Sequence, residues 1–198
     1  MDTACTMSTH VTNLCRSSSY ALWRISKIRN LLNQNTTEKL IHAFVTSRLD
    51  YCNSLLFGLP AYEIRKLQLI QNSAARLITR QKYTHITPIL KQLHWLPIHQ
   101  RAEFKILCLT FKVIHGTAPN YLSQLVSLRS SDRTLRRTSR GEIHLHQPIA
   151  RTAFYGDRAF SVCSPRLWNA LPSSVQSATS FQSFKSGLKT HLFNRTFV

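Results

Sequence analysis

Eight carboxylates are this sequence's whole stock of acids for metal-assisted or acid–base chemistry: Asp2, Glu38, Asp50, Glu63, Glu103, Asp132, Glu142 and Asp157. Two-metal phosphoryl transfer needs acids converging on ions about 4 Å apart, commonly supplied by near-adjacent residues plus a distant one. The closest pair along the chain, Asp132 and Glu142, is ten residues apart. Phosphate-cradling loops fare no better. Gly58, Gly116, Gly141, Gly156 and Gly187 are scattered, so neither a P-loop nor a dinucleotide fingerprint can be written. His144-x-His146 and His94-x4-His99 have metal-ligand spacing, but no cysteine or acid completes a coordination set beside them. They read as solvated or hydrogen-bonded histidines. No serine sits in a nucleophile elbow. The expectation is a chain without catalytic residues, metal site or cofactor.

The basic groups remain. Lysine and arginine number 26 against 8 acids, a formal charge of +18 in 198 residues. A surface that basic attracts nucleic acid or anionic lipid, and disfavours a cytosolic metabolic enzyme. Arg129, Arg133, Arg136, Arg137 and Arg140 form the densest run, with Asp132 as its one acid. Each guanidinium can pair with a phosphate through two parallel hydrogen bonds. Five such contacts on a duplex imply a log K against log salt slope of about −4.5. Arg158 and Arg166 join this set, or pair instead with Asp157 or cap the tail. Arg65 with Arg76, and Arg101 with Lys105 and Lys112, read as wet helix faces. Trp23, Trp95, Trp168, Phe104, Phe111, Phe160 and Phe184 lie on apolar stripes, where core packing is expected rather than base stacking.

The elements that must position these groups are helical. Residues 1–17 are polar and Ser/Thr-rich, which predicts a disordered lead-in. From Ser18, Ala21, Ile25, Ile28 and Leu32 recur at helical spacing. Asn35 with Glu38 has the form of a capping start for a second helix running towards Leu56, which Gly58 and Pro60 end. Ile64, Leu67, Ile70, Ala74, Leu77 and Ile78 make the apolar face of a third helix over 61–80. Pro88 opens a short helix to Leu93. The helix over 98–115 is apolar on most sides and reads as the central one of a bundle. Pro119 starts a further short helix.

Composition changes at the basic linker, 129–140. Beyond it, residues 142–146 alternate as a strand does and 151–155 pair with them in a predicted β-hairpin. Ser164 and Pro165 read as cap and first residue of a short helix, and Ser180 opens a last helix carrying Phe181, Phe184, Leu188 and Leu192. The predicted fold is mainly α: a helical bundle over 18–128, the linker over 129–140, and a small α+β region over 141–198.

The apolar run from Phe104 to Ile114 is broken by Lys105 and Lys112 and falls short of the roughly 20 residues a spanning helix needs. The first ten residues lack a basic start and an apolar core, so no secretory signal is expected. Cys5, Cys15, Cys52, Cys108 and Cys163 form no CxxC pair and read as reduced, mostly buried thiols of a cytoplasmic or nuclear protein.

Five segments in order carry a resemblance: SRLDYCNSLLFGLP (47–60), LQLIQNSAARLITR (67–80), HITPILKQLHWLPIHQRAEFKILCLTFKVIHGTAPNYLSQLV (85–126), YGDRAFSVCSPRLWNALP (155–172) and SFQSFKSGLKTHLF (180–193). Over roughly residues 18–195 the chain resembles the region downstream of the polymerase core in non-LTR, LINE-type and jockey-like retrotransposons. The resemblance implies a thumb-like helical part that follows an endonuclease and a reverse transcriptase core in the parent protein. The Tyr-x-Asp-Asp-like polymerase motif has no counterpart, since Asp50-Tyr51 runs in the wrong order, and the zinc knuckle of some relatives is absent. What carries over is a position in the architecture, with RNA or RNA–DNA hybrid as the implied partner through its backbone. The rival reading is an interaction module whose apolar faces over 61–80 and 98–115 pack on a polymerase core. A third is a translated relic of the retroelement with no selected role.

Overall fold

The computed structural model describes residues 6–129, 143–150, 152 and 155–197. They are mainly helical, and the chain divides into two compact units, Met1–Arg101 and Ala102–Thr196. The division falls inside a helix. Four of the five linker arginines lie outside the described residues.

The first unit opens with α1 (Ser8–Ile28). This corrects the predicted lead-in: residues 8–17 are helical because Val11 anchors them, fully buried, in the core. The buried face of α1 is Val11, Ser18, Leu22 and Ile25, so Ile28 turns out to solvent. A 3-10 turn over Arg29–Leu31 leads to α2 (Gln34–Ile41). Its cap is Asn33, two residues before the predicted one, whose side chain accepts the Thr36 N–H at 2.8 Å. The helix then widens into a π turn over His42–Thr46 and finishes as α3 (Ser47–Asp50). It therefore stops short of Leu56. Cys52 takes a left-handed conformation (φ 50°) that breaks the helix, and Asn53–Leu56 forms a separate 3-10 turn.

α4 (Ala61–Thr79) is bounded by Pro60 and by Arg80 at φ 57°. Leu67, Ala74, Ala75 and Ile78 are buried on its inner side, against residues of α1 and α2. Full burial of a side chain such as Leu67 contributes about 1.5–3 kcal/mol. α5 (Ile86–Gln92) has Pro88 in its first turn, where a missing N–H costs nothing. Ile89 and Leu90 of α5 and the following Trp95 complete this core. Gln71 ties the centre: its amide donates to the Leu96 carbonyl at 2.9 Å.

α6 (Ile98–Ile114) is the greasy helix that its composition predicted, with Ala102, Ile106, Leu107 and Phe111 buried. Its residues from Ala102 onward belong to the second unit. α7 (Asn120–Ser123), α8 (Phe160–Asn169), α9 (Ser173–Gln176) and α10 (Phe181–Phe197) follow. The core of this unit is aromatic. Phe111 stacks on Phe184 at 4.4 Å between ring centroids, and Trp168 lies 5.7 Å from Phe184. Leu188 and Leu192 are fully buried in α10, as their spacing predicted. Ser180 caps that helix, its hydroxyl accepting the Ser183 N–H at 3.1 Å.

Two predictions for this region are overturned. Residues 142, 151, 153 and 154 of the predicted hairpin lie outside the described residues; among those described no hairpin forms, because the edges of residues 144–146 are already taken. Arg129 N–H donates to His144 O and His146 N–H to Ser127 O, both at 2.9 Å, forming an antiparallel bridge between Leu128 and Leu145. The opposite edge is held by Asn169. Thr152 instead closes a turn, accepting the Gly156 N–H. Second, α8 begins at Phe160, so Pro165 lies inside it and Ser164 is a buried hydroxyl bonded to Thr110 Oγ1 at 2.8 Å. A proline five residues past the start still leaves earlier turns to nucleate the helix.

Candidate nucleic-acid interface

Of the arginines singled out from the sequence, Arg129 is exposed and uses its backbone N–H in the bridge to His144. Arg133, Arg136, Arg137 and Arg140 lie outside the described residues. Arg158 ends a 3-10 turn, half-buried, and its carbonyl accepts the Cys163 thiol. Arg166 is exposed on α8. The structure therefore does not gather these seven into one described surface.

Several other basic residues are structural. Arg29 is only 7% exposed, and its guanidinium donates to the carbonyls of Leu77, Ile78 and Leu32 at 2.7, 2.8 and 2.8 Å. It thereby satisfies carbonyls at the end of α4 that have no partner within the helix. Arg101, expected on a wet face, lies over Trp95, donates Nε–H to Leu96 O and grips both Asp50 oxygens from Nη1 at 2.9 and 3.1 Å.

Acids are spent in the same way. Asp50 is held by Arg101, Glu63 by Lys66 and the Ser8 hydroxyl, Glu103 by Arg195, and Glu38 faces His42 at 3.5 Å. Among the described residues, no three His, Cys, Asp or Glu side chains approach closely enough to hold a metal ion. Of the apolar faces of α4 and α6 that an interaction module would present, Leu67, Ala74 and Ile78, and Ile106, Leu107 and Phe111, are buried, whereas Ile64, Ile70 and Leu77, and Phe104, Leu109, Val113 and Ile114, are half-buried.

One surface was missed. Trp23, expected in the core, is 55% exposed, and Tyr20 is 60% exposed. At about 100° per residue, Trp23 is turned well away from the Leu22 and Ile25 face of α1. The two rings stack nearly parallel, 5.9 Å apart with 24° between planes. Arg24 lies over Tyr20 at 6.0 Å and Lys27 over Trp23 at 5.4 Å. Arg16, one turn before Tyr20, is also exposed. Positions 16, 20, 23, 24 and 27 share one helix face, and α1 contains no Asp or Glu. Beside this stripe an open groove of about 520 Å3 runs between α1 and α3, lined by His10, Asn13, Ser17, Arg48 and Tyr51 among others. The legible signal was the spacing of two aromatics and three cations at three and four residues in a helix without acids.

Comparison with protein-family models, curated proteins and solved structures finds no match for this chain. No helix among the described residues is long and apolar enough to cross a membrane.

Proposed function

We propose that this chain is a non-catalytic C-terminal portion of a non-LTR retrotransposon RNA-directed DNA polymerase, binding RNA or RNA–DNA hybrid through the phosphate backbone with little sequence preference. The observation that carries the reading is the charge imbalance: 26 basic residues against 8 acids, of which Asp50, Glu63 and Glu103 are already neutralised within the fold by lysine or arginine. The net positive charge that results attracts a polyanion. Paired and dispersed acids are poorly suited to holding catalytic metal ions. The ordered set of five motifs supports the origin. Arg129, Arg133, Arg136, Arg137, Arg140, Arg158 and Arg166 are the proposed phosphate contacts, and the intact parent's polymerase core is the proposed neighbour.

The test is a titration of the purified chain with a labelled 20-base-pair RNA–DNA hybrid at several salt concentrations, alongside a primer-extension assay. Affinity that falls steeply with salt, with no nucleotide incorporation, supports the reading. Salt-independent affinity, or extension of the primer, overturns it.

A further inference from the structure

The geometry points to α1 as a base-stacking platform for single-stranded nucleic acid, an inference that rests on the nucleic-acid reading and adds the strand state and the residues to it. Tyr20 and Trp23 are large, exposed and stacked with nearly parallel planes. Such a pair is costly to leave in water on a monomer's surface, yet every base carries a π-face that can cover it. Paired bases in a duplex have no free face to offer. Arg16, Arg24 and Lys27 line the same stripe at the distance of one helical turn from the rings, where the phosphates of a stacked strand would run. The absence of any acid from α1 makes the stripe complementary to a polyanion along its whole length. The groove lined by Arg48, His10 and Asn13 continues the path beside it.

An anionic membrane surface also selects Trp, Tyr, Lys and Arg. Such interfacial helices bury an aliphatic face in the lipid, however, and in α1 that face, Val11, Leu22 and Ile25, is committed to the core. Nucleic acid fits the exposed residues better.

The experiment measures binding of the whole chain to a 5′-labelled 20-nucleotide oligouridine and to a 20-base-pair RNA–DNA hybrid by fluorescence anisotropy. Wild type is compared with Tyr20→Ala/Trp23→Ala, Tyr20→Phe/Trp23→Phe and Arg16→Gln/Arg24→Gln/Lys27→Gln, with circular dichroism to verify each fold. The alanine pair is expected to lose about tenfold or more in single-strand affinity while hybrid binding and the salt slope hold. The phenylalanine pair keeps most of the affinity. The glutamine triple reduces the single-strand salt slope by about 2. Quenching of tryptophan emission by oligouridine supplies a direct readout, because Trp95 and Trp168 are buried at 5% and 0% exposure. Single-strand binding that the alanine pair leaves unchanged overturns the platform alone. Failure of wild type to bind either nucleic acid overturns both readings. Vesicles of three parts phosphatidylcholine to one part phosphatidylserine that blue-shift Trp23, where oligouridine has no effect, assign the stripe to a membrane and overturn the platform.

Discussion

The side-chain amide of Asn169 makes both backbone hydrogen bonds of Leu145: Oδ1 accepts its N–H and Nδ2 donates to its carbonyl, each at 2.9 Å. Asn169 thus stands in for a missing strand. Leu145 is 2% exposed, so water cannot replace either bond. The adjacent Trp168 donates Nε1–H to Ile143 O at 2.9 Å, and the two residues together anchor 143–146 on α8.

Asn169→Ala leaves a buried N–H and a buried carbonyl without partners, and is expected to cost about 2–3 kcal/mol. Asn169→Asp is expected to be as damaging above pH 5, since a carboxylate oxygen would then face the Leu145 carbonyl. Thermal melting followed by circular dichroism checks both, with a loss of roughly 5–10 °C expected. Unchanged melting of the alanine variant would show that the amide is dispensable.

Arg29→Ala removes the donors from two carbonyls at the end of α4, Leu77 and Ile78, and from that of Leu32, and is expected to destabilise the first unit by about 2–4 kcal/mol. Arg29→Lys restores the charge but not the fork of donors, and should recover only part of the loss. Urea titration monitored by Trp95 emission measures the order, which should run wild type, lysine, alanine.

The Glu103–Arg195 pair predicts an asymmetry. The Glu103 side chain is 5% exposed and that of Arg195 is 48% exposed. Arg195→Gln strands a buried charge, with an expected cost of about 2–4 kcal/mol. Glu103→Gln leaves a cation that water can solvate and should cost less. Chemical denaturation of the two single variants and the double variant gives the coupling energy.

Cys108 and Cys163 are buried, and burial pushes each thiol up to about 11 from an ordinary value of 9.0, against the smaller opposing pull of nearby lysines or arginine. A thiol with a raised folded value favours the fold while it stays protonated. That contribution is complete below about pH 9, declines as the unfolded chain ionises, and is gone above about pH 11. Stability should therefore fall between pH 9 and 11, and less so in Cys108→Ala/Cys163→Ser once compared with its own neutral-pH value. At pH 7.5, mass spectrometry after iodoacetamide treatment should find exposed Cys52 modified well before either buried thiol.

Periodicity made the larger helices legible. α4 and α6 lie within a residue of expectation, and α10 begins at the residue after its predicted cap, because each repeats apolar residues at three and four along one face. The misses have local causes. Residues 8–17 carry one decisive apolar anchor, Val11, amid serines and threonines that suggest a loop. The predicted hairpin followed alternation alone, and nothing in the sequence announces that a side chain, Asn169, will serve as the second edge. Arginines were the hardest to read: Arg29 and Arg101 look like any other surface cation until acceptors 48 to 51 residues away in sequence fold against them. Trp23 was misplaced because hydropathy assigns indoles to cores whichever way the helix turns them.

The π turn at His42–Thr46 has a geometric result downstream. Thr37, Ile41, Val45 and Leu49 are all buried and stand four apart. In an unbroken α-helix, residues at that interval precess by about 40° per step, and the set would fan across about 120°. The single wide turn unwinds that precession, so Leu49 still points inward. Deleting one residue between 42 and 46 would let a regular helix form with Leu49 still facing inward, because the buried positions would then follow a four–three–four spacing, which makes this segment a vernier that absorbs one extra residue while keeping both ends of a long helix in phase with one core.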